Sequence, residues 1–346
     1  MNQRQGTKEG DARRRIAVVG ARSFLGRNVI ALLEDDDKVE RLLAIDDEPT
    51  TPSPRGGSER VASVVTDLTA PGAESKLAAT LESERIDTVV HVGFLDAPSH
   101  ASAFAHELES VGTMRLVRAL RRSSVKKLVL WSQTLLYGAN PHNPNFLRED
   151  AELAAPRGEP WFGDKIEAEQ EVARFRGDHP EVTVTVLRTA PILGPTIDNL
   201  VTRYLGRRIV PTLLGFDPLV QLLHEVDAIG ALKWAAFRNV PGVFNIVGDG
   251  VLPLSVAIRL AARRPLPLPR SVAARIGSAL WATQLGDAPH GFLGFLRYVC
   301  IADGQKARAA GYRPTFSTRE AILDFVGAQR LRDVNLLGPS STPRAP

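Results

Sequence analysis

A glycine-bearing turn near the start of the chain has the residue types and spacing of a phosphate-binding site. The apolar run 16–19 ends at Gly20, and a helix-forming segment begins at Phe24 with Gly26 in its first turn. Such a turn directs backbone N–H groups and the positive end of a helix at one point, where a pyrophosphate is stabilised. The residues that we predict to form this contact are Gly20, Arg22, Ser23, Phe24, Leu25 and Gly26.

A carboxylate follows at the distance that a dinucleotide requires. Asp46 stands twenty positions after Gly26, at the end of the second apolar run. A carboxylate there accepts hydrogen bonds from the hydroxyls of the adenosine ribose. This position favours NAD over NADP.

The segments around these residues alternate between strand and helix patterns. Short β-branched runs separated by helical periodicity are typical of a parallel sheet with helices on both faces. The predicted strands are 16–19, 42–45, 61–65, 88–92, 128–131 and 182–187, and the predicted helices are 24–34, 73–84, 103–122 and 161–176. The expected fold class is therefore α/β, a doubly wound parallel Rossmann sheet with a smaller C-terminal substrate lobe.

The alternation fades after residue 187, which sets the predicted domain limits. The run 243–247 is expected to return a last strand to the sheet. We expect a nucleotide-binding domain over 15–190 plus 224–250 and a substrate lobe over 191–223 plus 251–332. Residues 1–14 and 333–346 are polar or rich in Pro and Ser and are predicted to be disordered tails. A loop insertion is expected over 49–60.

Composition argues against several other classes of protein. The net charge is +4 and the basic residues are scattered, without the interleaved aromatic residues of a nucleic-acid groove. The single cysteine excludes an intrachain disulfide, and the histidines lack metal-ligand spacing, so no metal is expected. No run reaches the length of a membrane span and no signal peptide is evident. A cytoplasmic location is expected.

The apolar stretch 271–299 is interpreted as lobe packing or, second, as a partner surface.

These motifs together resemble the extended short-chain dehydrogenase/reductases, the NAD-dependent epimerase/dehydratase family. The turn is similar to the family's GxxGxxG fingerprint, with Ser23 in place of the middle glycine. The resemblance implies that Asp67 and Leu68 contact the adenine, and that Val92 and Gly93 follow the fourth strand beside the cofactor. In some family members a basic residue at the position of Arg22 contacts the 2′-phosphate of NADP, which leaves NADP open.

The catalytic positions depart from the family pattern. Family members use a tyrosine as the base and a lysine four residues later that lowers its pKa and holds the nicotinamide ribose. Here Trp161 occupies the tyrosine position and Lys165 the lysine position. Gln133 falls where a Ser or Thr binds the reacting oxygen, and either of its neighbours, Ser132 or Thr134, is a candidate to supply the hydroxyl; Thr134 is the one that we predict. We predict Tyr137 as a displaced proton donor, with Lys165 as its electrostatic partner.

Two functions follow from this pattern. The first is an NAD(P)-binding oxidoreductase or epimerase that acts on a hydroxyl-bearing small molecule, a nucleotide-sugar or an alicyclic alcohol. The second is a non-catalytic dinucleotide-binding protein with a regulatory or structural role. The resemblance also implies a homodimer through the helices 103–122 and 161–176.

Overall fold

The protein is described from a computed structural model that covers residues 13–50, 60–154, 156 and 159–334. Its centre is a seven-stranded parallel sheet, with the strand order β11-β6-β5-β4-β1-β2-β3. The strands are β1 (Arg14–Val19), β2 (Val39–Asp46), β3 (Val61–Val65), β4 (Thr88–His91), β5 (Lys127–Gln133), β6 (Thr183–Thr189) and β11 (Gly242–Ile246).

Helices connect these strands and cover both faces of the sheet. They are α1 (Phe24–Glu34), α2 (Ala73–Ser83), α3 (Ser102–His106), α4 (Gly112–Leu120), α5 (Pro160–Asp178), α6 (Leu200–Gly206), α7 (Glu225–Phe237), α8 (Leu254–Leu260), α9 (Arg270–Ala282), α10 (Gln305–Ala309) and α11 (Thr318–Asp333). A π-helical turn, Glu107–Val111, joins α3 to α4, and short 3₁₀ turns occupy Thr134–Tyr137 and His290–Leu296.

The predicted fold class is confirmed. The burial of the inner strands on both faces explains their near-continuous apolar sequence, since β4 and β5 carry no exposed residue. The sheet order reverses between β1 and β4, and the crevice above such a switch point is where ligands of this architecture bind. The predicted last strand is also confirmed, because β11 pairs in parallel with β6 at the sheet edge.

Smaller pairs of strands lie outside the main sheet. These are β7 (Ile192–Leu193) with β10 (Leu223–His224), β8 (Ile209–Leu213) with β13 (Arg264–Leu268), and β9 (Leu219–Val220) with β12 (Leu252–Pro253). A second apolar core gathers here, with Leu205, Val210, Ile258 and Phe325 among its buried residues. The exact limits proposed for the substrate lobe stay a prediction.

Parts of the sequence predictions fall outside the described residues. This holds for residues 1–12 and 335–346 of the two predicted tails and for 51–59 of the predicted loop. Within the described part of the chain, no helix is long and apolar enough to cross a bilayer.

Candidate functional site

The glycine turn packs so tightly that its glycines cannot carry side chains. Gly20 has a φ of +86°, and a Cβ there would lie 2.4 Å from the backbone N and Cα of Gly93. A Cβ on Gly26 would lie 2.1 Å from the carbonyl oxygen of Gly20. The turn after β1, the first turn of α1 and the chain after β4 therefore form one backbone-lined cradle.

Ser23 caps the helix that follows this turn. Its hydroxyl accepts a hydrogen bond from the Gly26 N–H at 3.0 Å and donates to the Gly20 carbonyl at 2.7 Å. The Ser23 hydroxyl therefore helps to hold the turn together, and its contact with a phosphate stays a prediction. As the first helical residues of α1, Phe24 and Leu25 present N–H groups that have no partner within a helix.

Asp46 lies beside the same turn at the carboxyl end of β2. Its carboxylate accepts hydrogen bonds from the backbone N–H of Arg22 at 2.7 Å and of Asp47 at 2.9 Å. Burial, together with the carboxyl of Asp47, raises the pKa of Asp46 to about 6. The Arg22 guanidinium is paired with Asp47 at 3.0 Å and with Glu48 at 2.8 Å. A 2′-phosphate would meet these carboxylates, so the arrangement favours NAD over NADP.

The other residues predicted at the cofactor site also lie at this edge of the sheet. Val92 donates its N–H to the Val19 carbonyl at 2.9 Å, and Gly93 lies against Gly20. Asp67 accepts two hydrogen bonds from Thr69. The carbonyl of Leu68 accepts one from Arg115 on α4 at 2.7 Å. These contacts hold the segments after β3 and β4 in place. The contact of Asp67 and Leu68 with the adenine stays a prediction.

A buried ion pair lies at the centre of the crevice. The Lys165 ammonium is 2.5 and 2.7 Å from the two carboxylate oxygens of Glu109, and both side chains are almost completely buried. One of those oxygens also accepts the Leu95 N–H at 2.7 Å. Burial lowers the pKa of Lys165 and raises that of Glu109. Glu109 belongs to the π-helical turn, a local irregularity often found at functional sites.

Trp161 lies one helical turn before Lys165 on the same face of α5. The Lys165 ammonium is 4.2 Å from the centre of the indole ring, within the range of a cation–π contact. The indole N–H is buried and has no hydrogen-bond partner among the described residues. A buried donor without an acceptor costs free energy. The indole N–H of Trp161 therefore marks a place where a bound molecule can supply the acceptor.

Tyr137 lies in a different network from the one predicted. Its hydroxyl donates to Asn245 at 2.8 Å and accepts from Arg188 at 3.0 Å, and Arg188 is in turn paired with the buried Glu169. Burial raises the pKa of Tyr137 to about 12. The expected pairing of Tyr137 with Lys165 is therefore wrong: the partner of the tyrosine is Arg188, and the partner of the lysine is Glu109.

The remaining candidates lie where β5 ends. Ser132 donates a short hydrogen bond to Glu169, so its hydroxyl is already engaged. Gln133 is the last residue of β5, and Thr134 opens the 3₁₀ turn. Both are buried. Whether Thr134 binds a reacting oxygen stays a prediction.

Sequence reasoning missed Asp96, which lies three residues after Gly93 in the segment that follows β4. The residue is partly buried, and burial raises its pKa to about 6. The charges of Lys165, Arg27 and Asp198 also affect the pKa of Asp96. These three residues lie on α5, on α1 and just before α6. An acid five residues beyond the end of β4, at the switch point of the sheet, is the sequence signal that could have identified it.

A group with metal-ligand chemistry lies on the helices beside this crevice. One ligand atom each of His106, Asp164 and Glu167 falls within 4.8 Å of the others. His106 Nδ1 is 2.7 Å from Asp164, a bond that raises the pKa of the imidazole. These contacts form an ion pair, and the expected absence of a metal stays a prediction.

The fold and the crevice define a class of protein. The family model of the NAD dependent epimerase/dehydratase family matches residues 16–246, about two thirds of the chain. The protein belongs to this family, and the resemblance seen in the motifs is confirmed. The predicted nicotinamide cofactor agrees with membership of an NAD-dependent family.

Particular relatives are similar over most of the chain. The uncharacterized protein Rv0501 of Mycobacterium tuberculosis is 33% identical over 323 residues, which cover 92% of this chain and 85% of the relative. A 3-diazoavenalumate denitrifying reductase of a Streptomyces species is 27% identical over 64% of this chain and 71% of its own length. Among solved structures, MoeE5 in complex with UDP-glucuronic acid and NAD superposes with a TM-score of 0.70 and 22% identity, covering 92% of this chain and 99% of that one.

Proposed function

We propose that the protein binds NAD in the crevice above β1 and β4 and acts as an oxidoreductase or epimerase on a hydroxyl-bearing small molecule. The observation that carries this proposal is the joint placement of the glycine cradle and Asp46 at one sheet edge. The solved structure of MoeE5 with NAD and a nucleotide-sugar supports the same class of ligand. A nucleotide-sugar or an alicyclic alcohol is the substrate class that we propose.

The chain's own groups fit a dinucleotide. The N–H groups of Phe24 and Leu25 face a diphosphate, and Asp46 accepts from the adenosine ribose. Lys165 would bind the nicotinamide ribose, and the unpartnered Trp161 indole N–H is available as a donor in the same region. Bound NAD supplies the hydride acceptor of the reaction.

The reaction requires a group that accepts the proton of the substrate hydroxyl. Trp161 cannot accept it, because its indole N–H is only a donor. Tyr137 does not suit this role, because its hydroxyl is bonded on both sides in a buried network. We assign proton transfer to Asp96. A carboxyl with a pKa near 6 changes protonation close to neutral pH, where a general base is most effective. Lys165 lies near enough to favour the charged form of Asp96.

We also propose that the protein forms a homodimer through the segments 103–122 and 161–176 predicted for this contact, which contain α4 and most of α5. The two helices pack side by side. Sedimentation velocity should give a mass of two chains; a monomer at micromolar concentration would remove this part of the proposal.

Two measurements test the main proposal. Native mass spectrometry of the purified full chain should show a co-purified NAD, or uptake of added NAD in preference to NADP. Absorbance at the reduced-nicotinamide band during incubation with nucleotide-sugars and alicyclic alcohols should show turnover that Asp96→Asn abolishes. Asp37→Asn, at an exposed acid in the turn between α1 and β2, is the matched control.

The alternative function gives a different result in the same experiments. A non-catalytic dinucleotide-binding protein would bind NAD and be stabilised by it, yet would remain inert with every substrate of the panel. Absence of NAD binding at millimolar concentration would overturn both functions.

A further inference from the structure

Exposed apolar side chains are concentrated on one part of the substrate lobe. In the part of the chain that the structure describes, nine of the seventeen exposed large apolar residues lie between 209 and 285 within the predicted substrate lobe. A helix in a globular protein normally turns such residues inward, yet α9 buries only Ala273. Its residues Val272, Ile276 and Leu280 follow an i, i+4, i+8 spacing and are all exposed.

The apolar residues of neighbouring elements extend this helix face. α9 begins directly after β13, and β13 pairs in parallel with β8. β8 also lies against α9. We define the α9 face as the exposed apolar residues of these three elements and of the residue that follows β8: Ile209, Leu214, Leu266, Val272, Ile276 and Leu280. Exposed apolar residues grouped on neighbouring elements in this way indicate an interaction site.

The segment that carries β13 and α9 has charge of a single sign, whereas beyond the end of β8 the exposed Asp217 is bonded to Ser255. The segment 250–286 contains five arginines and no aspartate or glutamate. Arg264, Arg270 and Arg275 are exposed. The nearest acids along the chain on either side are each paired with an arginine: Asp249 with Arg308 and Asp287 with Arg207.

We propose that the α9 face binds the surface of an anionic lipid bilayer, with its apolar side chains at the level of the headgroups and its arginines against lipid phosphates. Apolar residues on one side of a helix, arginines beside them and the absence of acids are the features of a helix that lies in a membrane interface. A second copy of the chain is disfavoured as the occupant, because two such basic faces would repel each other in a twofold contact.

This attachment would place the crevice close to the bilayer. Trp281 on α9 stacks on His100 with the ring centres 3.7 Å apart. His100 follows Asp96 in the segment after β4. The helix that contacts lipid therefore also covers the segment that carries the proposed proton acceptor.

Flotation of the full chain with vesicles tests the proposal. We expect binding to vesicles of phosphatidylcholine with phosphatidylglycerol, weak binding to phosphatidylcholine alone, and release at high salt. The double variant Ile276→Glu/Leu280→Glu should lower the bound fraction roughly tenfold or more. Leu323→Glu on α11 is the matched control, because Leu323 is 45% exposed and Leu280 39%. The charge variant Arg270→Glu/Arg275→Glu should also lose binding, whereas Arg319→Glu on α11 should keep it.

Circular dichroism verifies that each variant is folded, which is expected because all substituted residues are exposed. Failure of the wild type to bind either vesicle, or equal binding by the α9 variants and their controls, overturns the proposal. Retention on immobilised polyglutamate without vesicle binding would indicate an acidic protein as the occupant instead. A change of sedimentation mass in Ile276→Glu/Leu280→Glu alone would indicate a contact between copies of the chain, which also overturns it. None of these outcomes depends on NAD binding.

Discussion

The Lys165 ammonium and the Glu109 carboxylate face each other at 2.5 and 2.7 Å in the interior of the crevice. Burial alone would favour the neutral form of each group, so the pairing offsets the cost of burying both charges. Lys165, which we predict to bind the cofactor ribose, is thus held in place by a carboxylate from the π-helical turn.

Removing one member of this pair should destabilise the protein. Glu109→Gln leaves the Lys165 ammonium buried opposite a neutral amide, and we expect a loss of about 3 kcal/mol in the free energy of unfolding. Urea denaturation at pH 7 measures this loss. Glu107→Gln, at an exposed carboxylate on the same turn, should change stability by less than about 0.5 kcal/mol. Equal stability of the two variants would show that the pair makes no net contribution.

Replacing Gly20 should disturb the cradle itself. Gly20→Ala introduces a Cβ 2.4 Å from the Gly93 backbone at a φ of +86°, so the turn must open or the chain after β4 must move. We expect a loss of at least about 2 kcal/mol in stability and a loss of NAD affinity. Gly230→Ala on α7 is the control, because a Cβ there meets open space and alanine favours the helix. Thermal unfolding with and without NAD distinguishes the two variants.

The function of Ser23 as a helix cap gives a graded prediction. Ser23→Ala removes the acceptor of the Gly26 N–H and should cost about 1 kcal/mol, whereas Ser23→Gly should cost only a few tenths. If Ser23 instead contacts a phosphate, both variants should lose NAD affinity to the same extent. Isothermal titration of NAD beside urea denaturation separates these two functions of the hydroxyl.

The ionisation of Asp46 should make NAD binding depend on pH. Its pKa of about 6 means that the carboxylate is charged above pH 6 and becomes protonated as the pH falls below that value. A protonated carboxyl accepts the ribose hydroxyls poorly, so affinity should fall roughly tenfold from pH 7 to pH 5. Asp46→Asn should bind weakly at every pH. Asp47→Asn removes a neighbour that raises the Asp46 pKa, so its profile should shift to lower pH.

The parts of this site that sequence could predict are local in the chain. Gly20, Gly26 and Asp46 stand at strand and helix ends, where a pattern of a few residues fixes both the element and the direction in which the backbone points. The start of α7 is a similar local feature, because His224 accepts the N–H of Val226, only two residues further on, at 3.2 Å. For the same reason the order of strand and helix segments predicted the sheet.

The contacts that sequence could not predict join residues that are distant along the chain. Glu109 and Lys165 are 56 positions apart, and Tyr137 and Asn245 are 108 apart. These pairings depend on how α5 packs against the sheet, on the place of β11 at the sheet edge and on the π-helical turn. No local residue pattern specifies these features. For this reason the sequence pattern led to Tyr137 as the displaced proton donor. In the tertiary structure the Tyr137 hydroxyl is hydrogen-bonded to Arg188 and Asn245 instead.

This correction leads to a comparison of Tyr137 with Asp96. Tyr137→Phe leaves Asn245 and Arg188 each without one buried partner, so we expect a loss of about 1–2 kcal/mol in stability but turnover within roughly threefold of the wild type. Asp96→Asn should keep its stability and NAD affinity and lower kcat by roughly a hundredfold or more. In the oxidation direction the wild-type rate should rise as Asp96 ionises through pH 6. A hundredfold loss in Tyr137→Phe together with an active Asp96→Asn would restore the tyrosine as the proton donor.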